Sequence, residues 1–198
     1  MFAIGFRCGR CGAAYGLEEV RYVCPRDGAE GTLDVVYDEA ALRRVLTPED
    51  LCRRPDRSMW RYGPLLPVRP ETLDRLGDAG LVQTVGWTPL IRAVRTERRL
   101  GLRAVYVKDD GRNPTGSFKD RASALVALKA IEAGAGVVTT ASSGNAAAAL
   151  AGMAAALGLR TVIFVPASAP AAKVAQLLIY GARVYLVEGT YDEAFDLT

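Results

Sequence analysis

The sequence predicts an α/β fold, a parallel sheet flanked by helices, with a small cysteine-bearing hairpin ahead of it. Apolar runs of strand length alternate with helical patterns over the second half of the chain. The connections between these runs are short, which is typical of strands joined by crossover helices. Three of the four cysteines fall within the first 37 residues. We therefore divide the chain into a hairpin segment (1–37), a connector (38–80) and an α/β body (81–198).

Composition limits the class of protein. The chain has 198 residues, half of them hydrophobic, as expected for a soluble globular protein. No apolar run approaches the ~20 residues of a membrane helix, and the N-terminus does not resemble a secretory signal, so we expect a cytoplasmic protein. The net charge of +3 is spread over interspersed charges. This pattern predicts neither a nucleic-acid surface nor a membrane surface.

The chain contains no histidine. This excludes Ser-His-Asp and Cys-His catalysis and every imidazole metal ligand. Acid-base chemistry near neutral pH would then depend on a lysine, a cysteine, a carboxylate or a cofactor.

The hairpin segment contains two Cys-x-x-ligand turns, Cys8-Gly-Arg-Cys11 and Cys24-Pro-Arg-Asp27. Each resembles one knuckle of a zinc ribbon, in which the turn brings two donors onto one ion. We predict a metal site, with Zn as the ion, at Cys8, Cys11, Cys24 and Asp27. Three thiolates plus a carboxylate is an uncommon set for a structural zinc.

The alternative for this segment is a hairpin that persists without metal, with strands at residues 21–24 and Leu33–Tyr37. A disulfide is not expected in a cytoplasmic chain. Cys52 would supply a fourth sulfur only if the segment between folds back. A ribbon by itself would also suit a nucleic-acid adaptor.

The connector begins with a helical pattern that is interrupted at Thr47-Pro48. Proline is favoured in the first turn of a helix, so this pair predicts a second helix with Thr47 as its cap. Residues 55–70 contain four prolines and predict an extended connector. Trp60 and Tyr62 within it are expected to pin it to its own domain rather than to bind a partner.

Lys119 lies at a predicted strand-loop-helix junction. The apolar residues 104–107 precede the loop, and a helical pattern follows Lys119. Ser117 is the predicted N-cap, with Asp120 completing a weak capping box. Only four of the 25 basic residues are lysines, and arginine cannot form an imine. The amine of Lys119 is therefore a candidate nucleophile; the alternative is a solvated lysine on a helix end.

Ser142-Ser-Gly-Asn145 forms a second polar turn, between a strand and an alanine-rich helix. A helix N-terminus can bind a carboxylate or phosphate through its backbone N–H groups, and Gly144 lets a ligand approach closely. The alternative is that Ser143 or Asn145 only caps the helix. The two asparagines of the chain, Asn113 and Asn145, fall in these two stretches, which favours a functional role.

The body is predicted to continue as a parallel sheet with right-handed crossovers. Its strands are expected at residues 137–141, 160–165 and 183–187, with a helix at 169–180 and another starting at Thr190. The two polar turns would then lie at the carboxyl ends of strands, where α/β proteins bind ligands.

The run Asn113-Pro-Thr-Gly-Ser-Phe-Lys-Asp-Arg121 is similar to the cofactor-lysine motif of threonine synthases, which are fold-type-II enzymes that use pyridoxal 5'-phosphate. The resemblance implies that Lys119 holds the coenzyme as a Schiff base and then moves protons, with Phe118 as a second coenzyme contact. Gly86-Trp-Thr-Pro-Leu90 resembles an entry segment of the same family.

The run Thr-Ala-Ser-Ser-Gly-Asn-Ala, residues 140–146, resembles the second signature of the family. The resemblance implies that Asn145 hydrogen-bonds the coenzyme ring hydroxyl. It also implies that Ser142, Ser143, Gly144 and Asn145 bind the amino-acid substrate.

The implied activity is conversion of O-phospho-L-homoserine and water to L-threonine and phosphate, with a homodimer as the full-length form. Family members continue well beyond Thr198, so the resemblance predicts that the 198-residue chain is truncated, binds the coenzyme weakly and turns over nothing. Alternative enzymes of the same fold are threonine or serine dehydratase and cysteine synthase. A zinc-ribbon binding module with a degenerate domain is the non-enzymatic alternative.

Overall fold

A computed structural model describes residues 1–78 and 80–198; Ala79, within the predicted connector, lies outside them. The chain forms two compact units. The first contains residues 1–56 and 61–70, and the second contains residues 57–60 and 71–198. In the described residues, no helix is both long and apolar enough to cross a membrane.

The first unit contains a three-stranded antiparallel sheet in the order β2-β1-β3. Its strands are β1 (Ala3–Cys8), β2 (Ala14–Tyr15) and β3 (Leu33–Tyr37). The third strand is where the sequence predicts it. The predicted strand at residues 21–24 is wrong, because this segment ends in a tight turn in which the Gly28 N–H donates to the Cys24 carbonyl.

Two short helices follow, α1 (Glu39–Val45) and α2 (Pro48–Arg53). The Thr47 hydroxyl accepts from the Asp50 N–H, and the Asp50 carboxylate accepts from the Thr47 N–H. This reciprocal capping box satisfies two N–H groups that the helix cannot bond internally. The predicted cap at Thr47 is confirmed.

A 3-10 helix spans Met59–Leu65, so the prediction of an extended connector is wrong. The Ser58 hydroxyl accepts from the Trp60 N–H and starts this turn. The Trp60 side chain is 8% exposed, and its indole N–H donates to the Val82 carbonyl at 2.8 Å. Trp60 is therefore held within its own unit, as predicted.

The second unit begins with a short helix and an antiparallel strand pair. These elements are α3 (Pro70–Asp74), 3-10 turns at Arg75–Asp78 and Val82–Thr84, β4 (Leu90–Arg92), α4 (Val94–Leu100) and β5 (Tyr106–Lys108). Strand β5, which precedes the Lys119 loop, pairs antiparallel with β4. It therefore lies outside the three-stranded parallel sheet.

That sheet has the order β6-β7-β8, with parallel pairing throughout. Its strands and flanking helices are α5 (Lys119–Glu132), β6 (Val137–Ala141), α6 (Asn145–Ala156), β7 (Arg160–Pro166), α7 (Ala171–Ile179), β8 (Arg183–Val187) and α8 (Tyr191–Phe195). The predicted α/β architecture is confirmed for this part of the chain.

Helix α6 is the centre of the core. Its residues from Ala147 to Ala154 are all buried, as expected for a helix that is apolar on every face. Alanine has the highest helix propensity and the smallest side chain that still favours a helix, so α6 can lie close to its neighbours. It packs on Ile163 and Val165 of β7 and beside α5.

Candidate active site

Lys119 is the first residue of α5, as predicted, and its side chain is half-buried. Its Nζ lies 4.8 Å from the centroid of the exposed Phe118 ring. The Ser117 hydroxyl accepts from the Lys119 N–H at 3.2 Å. The regular helix begins one residue later than predicted, after Phe118, but the Ser117 hydroxyl still bonds an N–H of the first turn as a capping side chain does.

Asp120 fixes the loop ahead of Lys119. Its side chain is fully buried, and its carboxylate accepts from the Thr115 N–H at 2.7 Å and from the Thr115 hydroxyl. The predicted capping box with Ser117 is therefore replaced by a clamp on the Pro-Thr-Gly turn. Charge-assisted hydrogen bonds of this kind are among the stronger ones in proteins.

Asn113 joins the Lys119 loop to the segment that starts at Gly86. Its side chain is 4% exposed; its Oδ1 accepts from the Gly86 N–H at 2.9 Å, and its Nδ2 donates to the Asp110 carbonyl at 3.0 Å. A Cβ at Gly86 would lie 2.8 Å from the Met59 nitrogen. The Lys119 loop and the segment that begins at Gly86 therefore meet at Gly86, where any larger residue would clash.

Asp110 and Arg121 form an ion pair that the sequence analysis missed. The Arg121 guanidinium donates to both Asp110 oxygens, at 2.9 and 3.1 Å, and the Thr88 hydroxyl donates to Oδ1 at 2.5 Å. The Arg121 hydrogen bonds are the largest cause that lowers the pKa of Asp110 to about 2. The sequence did offer a signal for this pair, since Arg121 ends the lysine motif and Asp110 lies eleven positions before it.

The turn from Ser142 to Asn145 lies at the carboxyl end of β6, as predicted. The Ser142 hydroxyl accepts from the Gly144 N–H at 3.1 Å, and Gly144 is the N-cap of α6 with no side-chain cap. Neither Ser143 nor Asn145 caps the helix, so that alternative is wrong. Ser142 and Ser143 are half-buried and the Asn145 side chain is exposed. The N-terminus of α6 is therefore open to an anionic group.

The two turns belong to neighbouring helices. Helix α5 leads into β6 and α6 leads out of it, and the two helices pack directly against each other. Helices in such units run opposite to the strands, so both begin at the carboxyl edge of β6. Packing is also direct between the Lys119 loop and α6, since a Cβ at Gly152 would lie 2.6 Å from Thr115 Cγ2.

The first unit brings together the four predicted metal ligands. One ligand atom from each of Cys8, Cys11, Cys24 and Asp27 lies within 4.8 Å of every other. Hydrogen bonding to Asp27 is the largest cause that raises the pKa of the Cys11 thiol to about 12. Cys52 is exposed and does not belong to this cluster.

Most of the second unit matches a known family model. Residues 81–198 match the family model described as pyridoxal-phosphate dependent enzyme. This range contains β4 to α8 and both polar turns.

Comparison with curated proteins finds threonine synthases. That of Methanocaldococcus jannaschii is 37% identical over 193 residues, which cover 96% of this chain and 45% of the relative. That of Methanosarcina acetivorans is 40% identical over 192 residues, 96% of this chain and 44% of the relative. That of Synechocystis is 41% identical over 151 residues. The chain thus spans less than half the length of these relatives.

Solved structures agree on the fold. A pyridoxal 5'-phosphate-dependent aspartate racemase superposes with a TM-score of 0.53 at 29% identity, over 66% of this chain and 42% of that chain. The diaminopropionate ammonia lyase of Escherichia coli, in its apo form, gives 0.51 at 24% identity, over 61% of this chain and 39% of that chain.

Proposed function

We propose, from the premise that this chain belongs to the family of pyridoxal-phosphate-dependent enzymes, that it carries the cofactor lysine and the substrate-carboxylate site of a threonine synthase. The reaction would convert O-phospho-L-homoserine and water to L-threonine and phosphate. Two observations support the proposal: the clamped loop ahead of Lys119 packs on α6, where a Cβ at Gly152 would lie 2.6 Å from Thr115 Cγ2, and the N-terminus of that helix has no side-chain cap.

The residues present fit the cofactor. Lys119 offers a primary amine on a loop held by Asp120 and Asn113, and the adjacent Phe118 presents an aromatic face. Pyridoxal phosphate supplies an electron sink that stabilises negative charge on a substrate carbon. The protein then has to hold the cofactor, orient the substrate and control protons.

Each residue would have a distinct role. The Lys119 amine would hold the cofactor covalently and later carry protons to and from the substrate carbons. Asn145, exposed at the start of α6, would hydrogen-bond the cofactor ring. The substrate carboxylate would accept hydrogen bonds from the Ser142–Asn145 turn, where the uncapped N–H groups and the helix dipole favour negative charge.

The predicted metal ligands Cys8, Cys11, Cys24 and Asp27 belong to the first compact unit, and the proposed reaction assigns them no role. Their occupancy does not enter any step at Lys119.

Reductive trapping tests the role of Lys119. The chain is incubated with pyridoxal phosphate, reduced with borohydride and digested, and the labelled peptides are mapped. We expect the label on Lys119 and its loss in Lys119→Ala, whereas Lys173→Ala, a change on α7, should keep it. Equal labelling of Lys108, Lys119, Lys129 and Lys173 would contradict the role of Lys119.

Product analysis separates the proposed reaction from the alternatives. The relatives are more than twice as long as the matched region, so we expect the 198-residue polypeptide alone to bind the cofactor weakly and to form no threonine. A polypeptide of the relatives' length should form threonine and phosphate from O-phospho-L-homoserine. A 2-oxo acid and ammonia from threonine would instead indicate a dehydratase, and cysteine formation a cysteine synthase. A racemised amino acid would indicate a racemase.

A further inference from the structure

The cysteine cluster of the first unit has the dimensions of a metal site. The Sγ atoms of Cys11 and Cys24 are 3.7 Å apart, and Cys8 Sγ lies 3.2 Å from Asp27 Oδ2. Zn–S bonds of about 2.3 Å and Zn–O bonds of about 2.0 Å give tetrahedral edges of about 3.8 Å (S to S) and about 3.5 Å (S to O). The observed S–S and S–O separations are close to these expected edge lengths.

The same distances exclude a disulfide in this structure. A disulfide needs sulfurs about 2.05 Å apart, and all four cysteines are free. Cys8 and Cys24 are 1% and 0% exposed. Cys11 is exposed and Asp27 is half-buried, so the cluster lies at the edge of the unit. Thiols placed this close are the ligands that Zn²⁺ prefers, together with other soft metal ions.

Neighbouring groups are placed to stabilise the bound form. Three thiolates and a carboxylate around a divalent cation leave roughly two excess negative charges. The Tyr15 hydroxyl lies 3.1 Å from Cys24 Sγ, and the Arg10 N–H donates to Cys8 Sγ at 3.4 Å. The Arg10 guanidinium lies 4.0 Å from Asp27. Such outer contacts orient the ligands and offset their charge.

The chain also makes room for the ligands. A Cβ at Gly31 would lie 2.5 Å from the Cβ of Cys24 and 2.9 Å from the Cβ of Asp27. The strand that follows can therefore pass directly behind both ligands only because residue 31 is glycine.

The first unit has little core without a metal. In its described residues, the buried hydrophobic side chains are Ala3, Cys8, Val20, Cys24 and Val68. Two of these five are members of the cluster. Units with so little apolar burial usually need a disulfide or a metal to stay folded.

We propose that Cys8, Cys11, Cys24 and Asp27 bind one Zn²⁺ ion that holds the first unit together. Four protein ligands leave no open coordination position, so the ion is structural rather than catalytic. The ion joins the end of β1 to the turn at residues 24–28, which the small core does not hold by itself.

Metal analysis of variants tests the proposal. The chain, reduced and refolded with Zn²⁺ and then desalted, should keep one equivalent of zinc by elemental analysis. Cys11→Ser and Asp27→Ala should lose it, whereas Cys52→Ser, which changes the exposed cysteine outside the cluster, should retain it. Asp27→Cys supplies a fourth thiolate and should retain zinc, which separates loss of a ligand from loss of folding.

Cobalt and proteolysis supply independent measurements. Co²⁺ in place of zinc should give the intense visible bands of a tetrahedral ion with thiolate ligands, absent in Cys11→Ser. A zinc chelator should speed trypsin cleavage within residues 1–56 and leave cleavage after residue 81 unchanged. Each measurement is independent of cofactor binding at Lys119.

Three results would overturn the proposal. One is the absence of both zinc retention and cobalt bands in the refolded chain. A second is equal loss of zinc in Cys52→Ser and Cys11→Ser. The third is an unchanged cleavage rate in the first unit when the metal is removed.

Discussion

Substitution of Gly152 by alanine tests how α6 positions the Lys119 loop. The new Cβ would lie 2.6 Å from Thr115 Cγ2, whereas ordinary contacts start at 3.4 Å. Thr115 cannot turn away freely, because its N–H and hydroxyl both donate to the buried Asp120 carboxylate. Either the loop moves as a whole or the clamp breaks.

Two effects of opposite sign determine how much Gly152→Ala changes the free energy of unfolding. Overpacking of this kind costs about 1–3 kcal/mol, and alanine in place of glycine inside a helix gains about 1 kcal/mol. We therefore expect Gly152→Ala to lower the free energy of unfolding by about 0–2 kcal/mol. Thr115→Ser removes the methyl group and keeps the hydroxyl, at a cost of about 0.5–1.5 kcal/mol. In that background Gly152→Ala should stabilise the protein.

The assay is urea unfolding of the four proteins of this double-mutant cycle. The expected coupling is about 1–3 kcal/mol, and the yield of trapped cofactor at Lys119 should fall in Gly152→Ala and recover in the double variant. Gly77→Ala is the control, since nothing lies within 4 Å of its added Cβ. Additivity of the two changes within about 0.5 kcal/mol would refute the reasoning.

Two further predictions concern the carboxylates around the loop. The pKa of Asp110 is lowered from 3.8 to about 2, chiefly by Arg121, so its ionised form adds stability that is complete above about pH 4 and is lost as the pH falls towards 2. Because the Asp110 side chain is 24% exposed and partly screened by solvent, we expect this contribution to be about 1–2 kcal/mol. Urea unfolding of the wild type and Asp110→Asn measures it as a difference in stability that decreases as the pH is lowered. Asp120→Asn should lower the free energy of unfolding by about 1–3 kcal/mol at neutral pH. The two Thr115 hydrogen bonds go to different carboxylate oxygens, and an amide keeps only one oxygen as an acceptor. The change should also reduce trapping of the cofactor at Lys119.

Controls for these carboxylates come from exposed positions. Asp192→Asn makes the same change at an exposed position of α8 and controls for the loss of one negative charge. A stability gap for Asp110→Asn that stays constant from about pH 6 to about pH 3 would contradict the assigned pKa. Unchanged stability and trapping in Asp120→Asn would contradict the clamp.

The sequence predicted helices and strands correctly where a short run of neighbouring residues carries the defining pattern. The Thr47 cap depends on Asp50, three residues away, and β6 is an apolar run ended by a polar turn. Helix α6 follows from its alanine content. In each case the pattern that identifies the element lies within a few residues, although β6 itself pairs with β7, 23 positions later. A single sequence therefore contains the information needed to recognise the element.

Predictions were wrong where a group bonds a different partner from the one that the local pattern suggests. Ser117 was expected to cap α5 with help from Asp120, but the Asp120 carboxylate bonds to Thr115. Strand β5 leads into the lysine loop as expected, but it pairs with β4, whose residues lie 14 to 18 positions earlier, and not with the parallel sheet. Residues 21–24 were expected to be a strand, but Cys24 at the end of this segment instead starts a turn that the Gly28 N–H closes.

The sequence by itself indicated the kind of chemistry, because the runs around Lys119 and Asn145 resemble two motifs of a family that uses pyridoxal phosphate. Only the tertiary structure decided which groups hold them: Asp120 with Thr115, Asn113 with Gly86, and Asp110 with Arg121 and Thr88. The structure also brings Cys8, Cys11, Cys24 and Asp27, which the sequence predicted as one set of ligands, within 4.8 Å of one another. The physical reason is that these partners meet through chain reversal and helix packing, and a residue's own neighbours in sequence do not specify which distant surface it will face.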